Sequence, residues 1–265
     1  WRERPRPGFV RRGLSFFWAV LSASLLVALL AAFLAGCVSG LTGFGLALIS
    51  VPLFLFVYDP KTTVVITAVL SLFINVAVVW DSWRDADRRM VLALLLPALA
   101  GVVVGVEVLR VVDPEYIRLS VGLVVVFSAL LLLRDVRLPG AGSRWGPVVA
   151  GSTSGALSTS TALAGPPIVL LLASRGFPKR AFRGSSALYF LFTSLAGLAV
   201  LLFRGLVEGE HLWLVLALVP AGFLGKILGT SLLKRTSERA FRVISLGVVI
   251  LTGALGVATA LWALW

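Results

Sequence analysis

The sequence predicts an all-α, polytopic membrane protein: an N-terminal helix, then two inverted repeats, each with one broken re-entrant hairpin and three transmembrane helices. Three observations carry that prediction. Of the 265 residues 59% are apolar and only 14% charged, with a mean hydropathy of +1.02, whereas a soluble domain is about a quarter charged. A glycine-rich stretch, Gly36-Cys-Val-Ser-Gly-Leu-Thr-Gly-Phe-Gly45, returns at an offset of 115 as Gly151-Ser-Thr-Ser-Gly-Ala-Leu-Ser-Thr-Ser160. The Lys and Arg residues of the connections become most asymmetric across the membrane under one particular topology.

Residues 1–13 carry five arginines and form a basic tail. No charge occurs from residue 14 to 58, and roughly 20 apolar residues cross a hydrocarbon core, so 14–34 reads as the first membrane helix. The apolar run is too long for a secretory signal. The first repeat, 35–134, has segments at 36–58, 62–80, 91–109 and 116–133. A linker at 135–145 holds Pro139-Gly-Ala-Gly142. The second repeat, 146–265, has segments at 146–174, 181–203, 212–233 and 240–264. Ala35-Gly36, Ser39-Gly40, Ala47-Leu48 and Pro52 meet identical residues at Ala150-Gly151, Ser154-Gly155, Ala162-Leu163 and Pro167. Further along, Asp59-Pro-Lys61 faces Phe177-Pro-Lys179, and Gly101 and Gly105 pair with Gly225 and Gly229. Self-similarity of this extent marks an internal duplication.

If 14–58 crossed once and every later segment also crossed, the two sides would hold 12 and 11 basic residues, and a first stretch that crosses twice would give 16 and 7. If each glycine-broken segment enters and returns to the side it came from, the tally becomes 19 and 4. Cytoplasmic loops are rich in Lys and Arg. The expected arrangement therefore has a cytoplasmic N-terminus, seven crossings, two re-entrant hairpins and an outside C-terminus in the cytoplasmic membrane. Three crossings per copy is an odd number, so the second copy should be inverted. The net charge of +12 follows from this topology and does not call for a nucleic-acid partner. The single Cys37 has no partner for an intrachain disulfide.

Irregular backbone at membrane depth is tolerated only where protein or a water-filled cavity satisfies it. A helix-breaking motif at matching positions of two halves is the sequence pointer to a transporter's substrate site. Each break should be followed by a short helix, near Leu46 and near Ala162 or Pro167, whose first amides are unpaired and carry partial positive charge. Two such helix starts meeting near the midplane would bind an anion without a charged side chain. The side chains agree: Ser39 and Thr42 precede Gly43, Phe44 and Gly45 in the first break. Ser154, Ser158, Thr159, Ser160 and Thr161 crowd the second. Asn75 and Tyr189 lie on the helices that follow. These twelve residues are the candidate substrate-binding set. Membrane hydroxyls also bond across helices or back to their own turn. Lys226 reads either as snorkelling to the interface or as attracting anions, and Arg180 and Arg183 read as the cytoplasmic rim. His211 reads as structural or solvated.

No Asp, Glu or His falls deep in a segment, which leaves no carboxylate or imidazole proton relay. Phosphate-cradling loops and Cys/His ligand spacings are missing too. No cofactor and no metal are therefore expected, and no enzyme activity.

At these broken segments, Ala35-Gly-Cys-Val-Ser-Gly-Leu-Thr-Gly-Phe-Gly45 through Pro52 and Asp59-Pro-Lys61 with Thr67-Ala68, together with their second copies, the chain resembles the sulfite exporter TauE/SafE family, also called the toluene-sulfonate uptake permease family. The likeness extends from about residue 30 to 262. It implies transport of small organosulfur anions such as sulfite, sulfoacetate or taurine-derived acids, usually outward. Members commonly carry three glycines in the first break where this chain has Gly43-Phe44-Gly45.

The expected function is a secondary transporter exporting a small organic or inorganic sulfur-containing anion by alternating access. An anion channel or uptake permease, a non-transporting scaffold and a membrane enzyme are the alternatives. The lipid bilayer is the expected partner, and a homo-oligomer is left open.

Overall fold

The computed structural model describes residues 7–133, 142–237, 239, 240 and 247. Among them it has nine helices and no strands: α1 (Pro7–Thr42), α2 (Leu46–Phe54), α3 (Pro60–Ser82), α4 (Arg88–Val111), α5 (Pro114–Leu133), α6 (Trp145–Ser160), α7 (Gly165–Ser174), α8 (Lys179–Phe203) and α9 (Gly209–Arg235). Among the described residues, five stretches are long and apolar enough to cross a membrane: Ala23–Thr42 within α1, and α3, α4, α8 and α9. The expected fourth segment of the second repeat, 240–264, lies almost entirely outside the described residues, as does most of the linker.

Polar residues start three of the long helices, α3, α4 and α9. Asp59 accepts the Lys61 and Thr62 amides at 2.9 and 3.1 Å, and Pro60 occupies the first position, where a missing N–H costs nothing. Asp87 caps α4 through the Met90 amide at 3.0 Å. Glu208 and His211 form a reciprocal cap on α9. The second ring nitrogen of His211 lies 3.2 Å from Thr62 Oγ1, so this histidine ties the starts of α3 and α9 together.

One expectation needs correction. α1 runs unbroken from Pro7 to Thr42, through the predicted helix end at residue 34 and through Gly36 and Gly40. No turn separates a first crossing at 14–34 from a hairpin beginning at 36. The irregular backbone is confined to Gly43–Gly45. The reason lies in packing: a Cβ on Gly36 would overlap the carbonyl of Gly222, and one on Gly40 that of Lys226. Those two glycines bring helices close together and do not end one. Gly151 and Gly155 of α6 do the same against the Leu94 and Ala98 carbonyls of α4.

The two copies interlock through these seams. α1 lies along α9, and Gly225 and Gly229 return the contact by facing the backbone at Phe33 and Cys37. α6 lies along α4, where Gly101 and Gly105 face Ser152 and Ala156. Residue numbers rise together in both seams, so each pair is parallel. The helix before each break thus packs on the other copy's third helix. α3 and α8 run in opposite directions, since Asp81 at the end of α3 meets Arg183 near the start of α8. Along α1 the buried stripe Ala28, Ala31, Ala32 and Ala35 joins an apolar cluster with Leu46, Phe54, Ile66 and Ile74. Leu26 and Leu30 on its other side are exposed, as suits a lipid-facing surface.

Candidate functional site

In the first break Gly43 and Gly45 have φ of 80° and 95°, a left-handed conformation that glycine adopts without strain. Gly43 also sits where a Cβ would overlap the Arg183 carbonyl. The Thr42 hydroxyl lies 2.6 Å from the Phe44 carbonyl and 2.9 Å from that of Val38, and it accepts the Phe44 amide at 3.3 Å. Thr42 therefore holds the break in shape.

The second break spans residues 161–164, with Ala162 at φ 61°. Ser154 Oγ donates to the Ala164 carbonyl at 2.6 Å. A continuous helix would separate these residues by roughly 15 Å, so the chain doubles back here. Arg175 at the end of α7 donates to the Ser143 carbonyl, before the start of α6, at 3.0 Å. Both ends of the α6–α7 pair are thereby fixed side by side.

The two breaks border a common cavity of about 50 Å³. Ser39, Phe44, Gly45 and Leu46 line it from the first copy, with Thr67, Ser71 and Asn75 of α3. Ser158, Thr159, Ala162, Ala164 and Gly165 line it from the second, with Phe190, Thr193, Ser194 and Gly197 of α8. A single water needs on the order of 10–15 Å³ by this measure, and sites for drug-sized ligands run to roughly 300–1,000 Å³. The space suits a group of a few heavy atoms. None of the lining residues is charged.

Six of the twelve predicted residues lie on this wall: Ser39, Phe44, Gly45, Asn75, Ser158 and Thr159. Thr42, Gly43, Ser154, Ser160, Thr161 and Tyr189 are not among the lining residues. Most hydroxyls of the second break satisfy backbone instead. Ser158 bonds the Gly155 carbonyl, Ser160 that of Ala156 and Thr161 that of Leu157, while Thr159 reaches across to Val102 of α4. Ser39 Oγ and Thr67 Oγ1 are different: both are buried, both line the cavity, and neither has a hydrogen-bond partner. Buried polar atoms are nearly always paired; Thr63 Oγ1, Ser186 Oγ and Tyr189 Oη are also without a partner, away from this wall.

Thr67 and Ser71 fall outside the predicted set. Their signal is present in sequence: Thr67, Ser71 and Asn75 recur every fourth residue and so share one face of an apolar helix. On α8 the lining residues Thr193 and Gly197 are likewise four apart, with Ser194 beside them. The expected pair of equivalent helix starts is also lopsided. α2 opens with Leu46-Ala-Leu48, which keep their amides. α7 opens with Gly165-Pro-Pro167, where two of three amides are missing.

The charged residues depart from the sequence reading as well. Arg183 is buried, donating from Nε to the Gly40 carbonyl at 2.9 Å, and is not a rim residue. Lys226 reaches Asp81 at 2.6 Å.

A family model described as sulfite exporter TauE/SafE matches residues 28–255, most of the chain. No curated protein and no solved structure matches it.

Proposed function

We propose that this chain, which belongs to the sulfite exporter TauE/SafE family, is a membrane transporter that carries a small sulfur-containing anion, such as sulfite or a sulfonate, out of the cell by alternating access. The observation that carries this reading is the small cavity walled by both breaks, with Ser39 and Thr67 buried there unpaired. A sulfur oxyanion offers several oxygens in a compact shape. The two hydroxyls, the Asn75 amide and the first amides of α2 are donors of matching character, and no acidic side chain on the wall repels it. The reading is of a transporter and not an enzyme.

The fold supports two re-entrant hairpins in inverted halves. α7 comes back beside α6, and α3 opposes α8 in direction, as a twofold axis lying in the membrane plane requires. The end of α3 and the starts of α4, α6 and α8 share one end of the bundle with Arg84, Arg88, Arg89, Arg144 and Arg180. The other end holds Lys61, Arg110, Arg118 and Arg204. The first end is the cytoplasmic one on this reading. Because α1 parallels α9, Ala23 then lies toward the outer face, and a cytoplasmic N-terminus does not follow from this arrangement.

An anion leaving a negative-inside cell gains about 2.3 kcal/mol per charge per 100 mV, enough to drive export without a proton relay. The test is flux of sulfite, sulfoacetate and taurine in liposomes, with and without an imposed potential. Saturable movement of at least one, accelerated by the potential, is expected; saturable movement of none overturns the proposal.

A further inference from the structure

Beside the first break, toward the basic end of the bundle, three charged side chains meet inside the protein. Lys226 Nζ lies 2.6 Å from Asp81 Oδ2, and Arg183 Nη2 lies 3.8 Å from the same oxygen. Arg183 and Lys226 are 4% and 7% exposed, whereas the Asp81 side chain is 32% exposed. Arg183 also donates to the Gly40 carbonyl and, at 3.1 Å, to Thr230 Oγ1. Two buried cations thus contact one carboxylate, the most accessible of the three groups, while the charge of Asp85 also acts on Arg183.

Buried ionic clusters are weak evidence for stability, because apolar side chains of similar volume serve packing as well or better. The duplicated fold makes that comparison within one chain. The offsets of 118 and 124 that align the second and third helices of the copies place Val65, Val102 and Ala199 opposite Arg183, Lys226 and Asp81. Val65 and Val102 are fully buried. The pseudo-equivalent corner at the other end of the bundle therefore holds no charge, and the architecture does not require any here.

We propose that Lys226 and Arg183 form a second anion station between the cytoplasm and the central cavity, occupied in this conformation by Asp81 as an internal stand-in for the acid group of the transported anion. The inference rests on the anion-transport reading above. The station abuts the cavity: Arg183 holds Gly40, whose neighbour Ser39 is on the cavity wall, and the lining residue Phe44 packs edge-on against Phe182 at 5.7 Å. Asp81 also borders an open groove with Trp80, Arg84 and Asp85, into which its carboxylate can swing when an oxyanion takes its place. Asp81 belongs to the first copy and Lys226 to the second, so displacement removes an ionic tie between the halves at the moment substrate arrives.

The test titrates purified protein with sulfite and with sulfate, reading binding as anion-dependent thermal stabilisation. Asp81→Asn removes a like charge from the station and is expected to bind both oxyanions about tenfold or more tighter than wild type. Adding Lys226→Gln should abolish that gain, and Asp81→Glu, which keeps the stand-in, should match wild type. Should Asp81→Asn fail to fold, Asp81→Ser carries the same expectation. Unchanged or weaker binding in the neutral Asp81 variants overturns the station, as does a gain that survives Lys226→Gln. Liposome flux tests the transport reading separately: a wild type that moves no sulfur anion sinks that reading, while a gain in Asp81→Asn that Lys226→Gln abolishes still upholds the station.

Discussion

Ser39 and Ser154 occupy equivalent positions 115 residues apart, yet Ser154 donates to the Ala164 carbonyl at 2.6 Å while the Ser39 hydroxyl faces the cavity without a partner. One copy spends the hydroxyl on closing its hairpin, and the other leaves it free.

Replacing each by alanine should separate these roles. Ser154→Ala leaves a buried carbonyl unpaired and is expected to cost about 1–3 kcal/mol of stability. Ser39→Ala removes an unpaired hydroxyl, so melting should be unchanged or slightly improved while the KM for sulfite flux rises. Equal melting losses in the two variants would refute the division.

The glycine seams predict a second contrast. A methyl at Gly229 would overlap the Cys37 carbonyl, whereas Gly209 has nothing within 4 Å. Gly229→Ala is expected to destabilise by about 1–3 kcal/mol through overpacking. Gly209→Ala should be neutral or stabilising by up to about 1 kcal/mol. Thermal unfolding in detergent measures both.

Ala162 holds φ at 61° beside the cavity, a conformation that costs a residue with a Cβ roughly 1–2 kcal/mol. Glycine removes that strain but widens the unfolded ensemble by about 0.4–1 kcal/mol. Ala162→Gly should therefore be neutral to mildly stabilising, and Ala162→Val clearly destabilising. A marked loss of stability in the glycine variant would show that the backbone is not strained there.

Asp59 supplies a pH prediction. Burial works against its charge, but hydrogen bonds from Thr62 and Lys61 outweigh that and hold its carboxyl below the usual range. A depressed folded-state value means the cap contributes fully above the unfolded value, near pH 4, and loses its contribution as pH falls through the folded one. The stability gap between wild type and Asp59→Ala, about 0.5–2 kcal/mol for a cap, should be constant above about pH 5 and shrink below it. Melting curves from pH 6 downward read the gap directly; a gap that widens on acidification contradicts the assignment.

Much of this arrangement was legible in the chain. The repeated glycine motif located both breaks, and six of twelve predicted residues reached the cavity wall. The misses have physical causes. Gly36 and Gly40 carry the same letter as Gly43 and Gly45, but a glycine used for close helix packing and one used for a left-handed turn look alike without a neighbour to pack on. The hydroxyls of Ser160 and Thr161 were indistinguishable from Ser39 because each can bond its own preceding turn, and the choice depends on which side faces space. Thr67 and Ser71 were readable from their four-residue spacing with Asn75.

Composition and the glycine breaks determined by themselves a helical membrane protein with two interrupted segments, as the described residues show, because hydropathy and backbone permissiveness are properties of residues in order. Only the tertiary structure decided that each interrupted helix packs on the opposite copy, that Ser39 and Thr67 face one cavity, and that Lys226 and Arg183 converge on Asp81. Those relations join residues from different helices, up to 192 positions apart between Cys37 and Gly229, and a linear chain carries no record of which distant faces will meet.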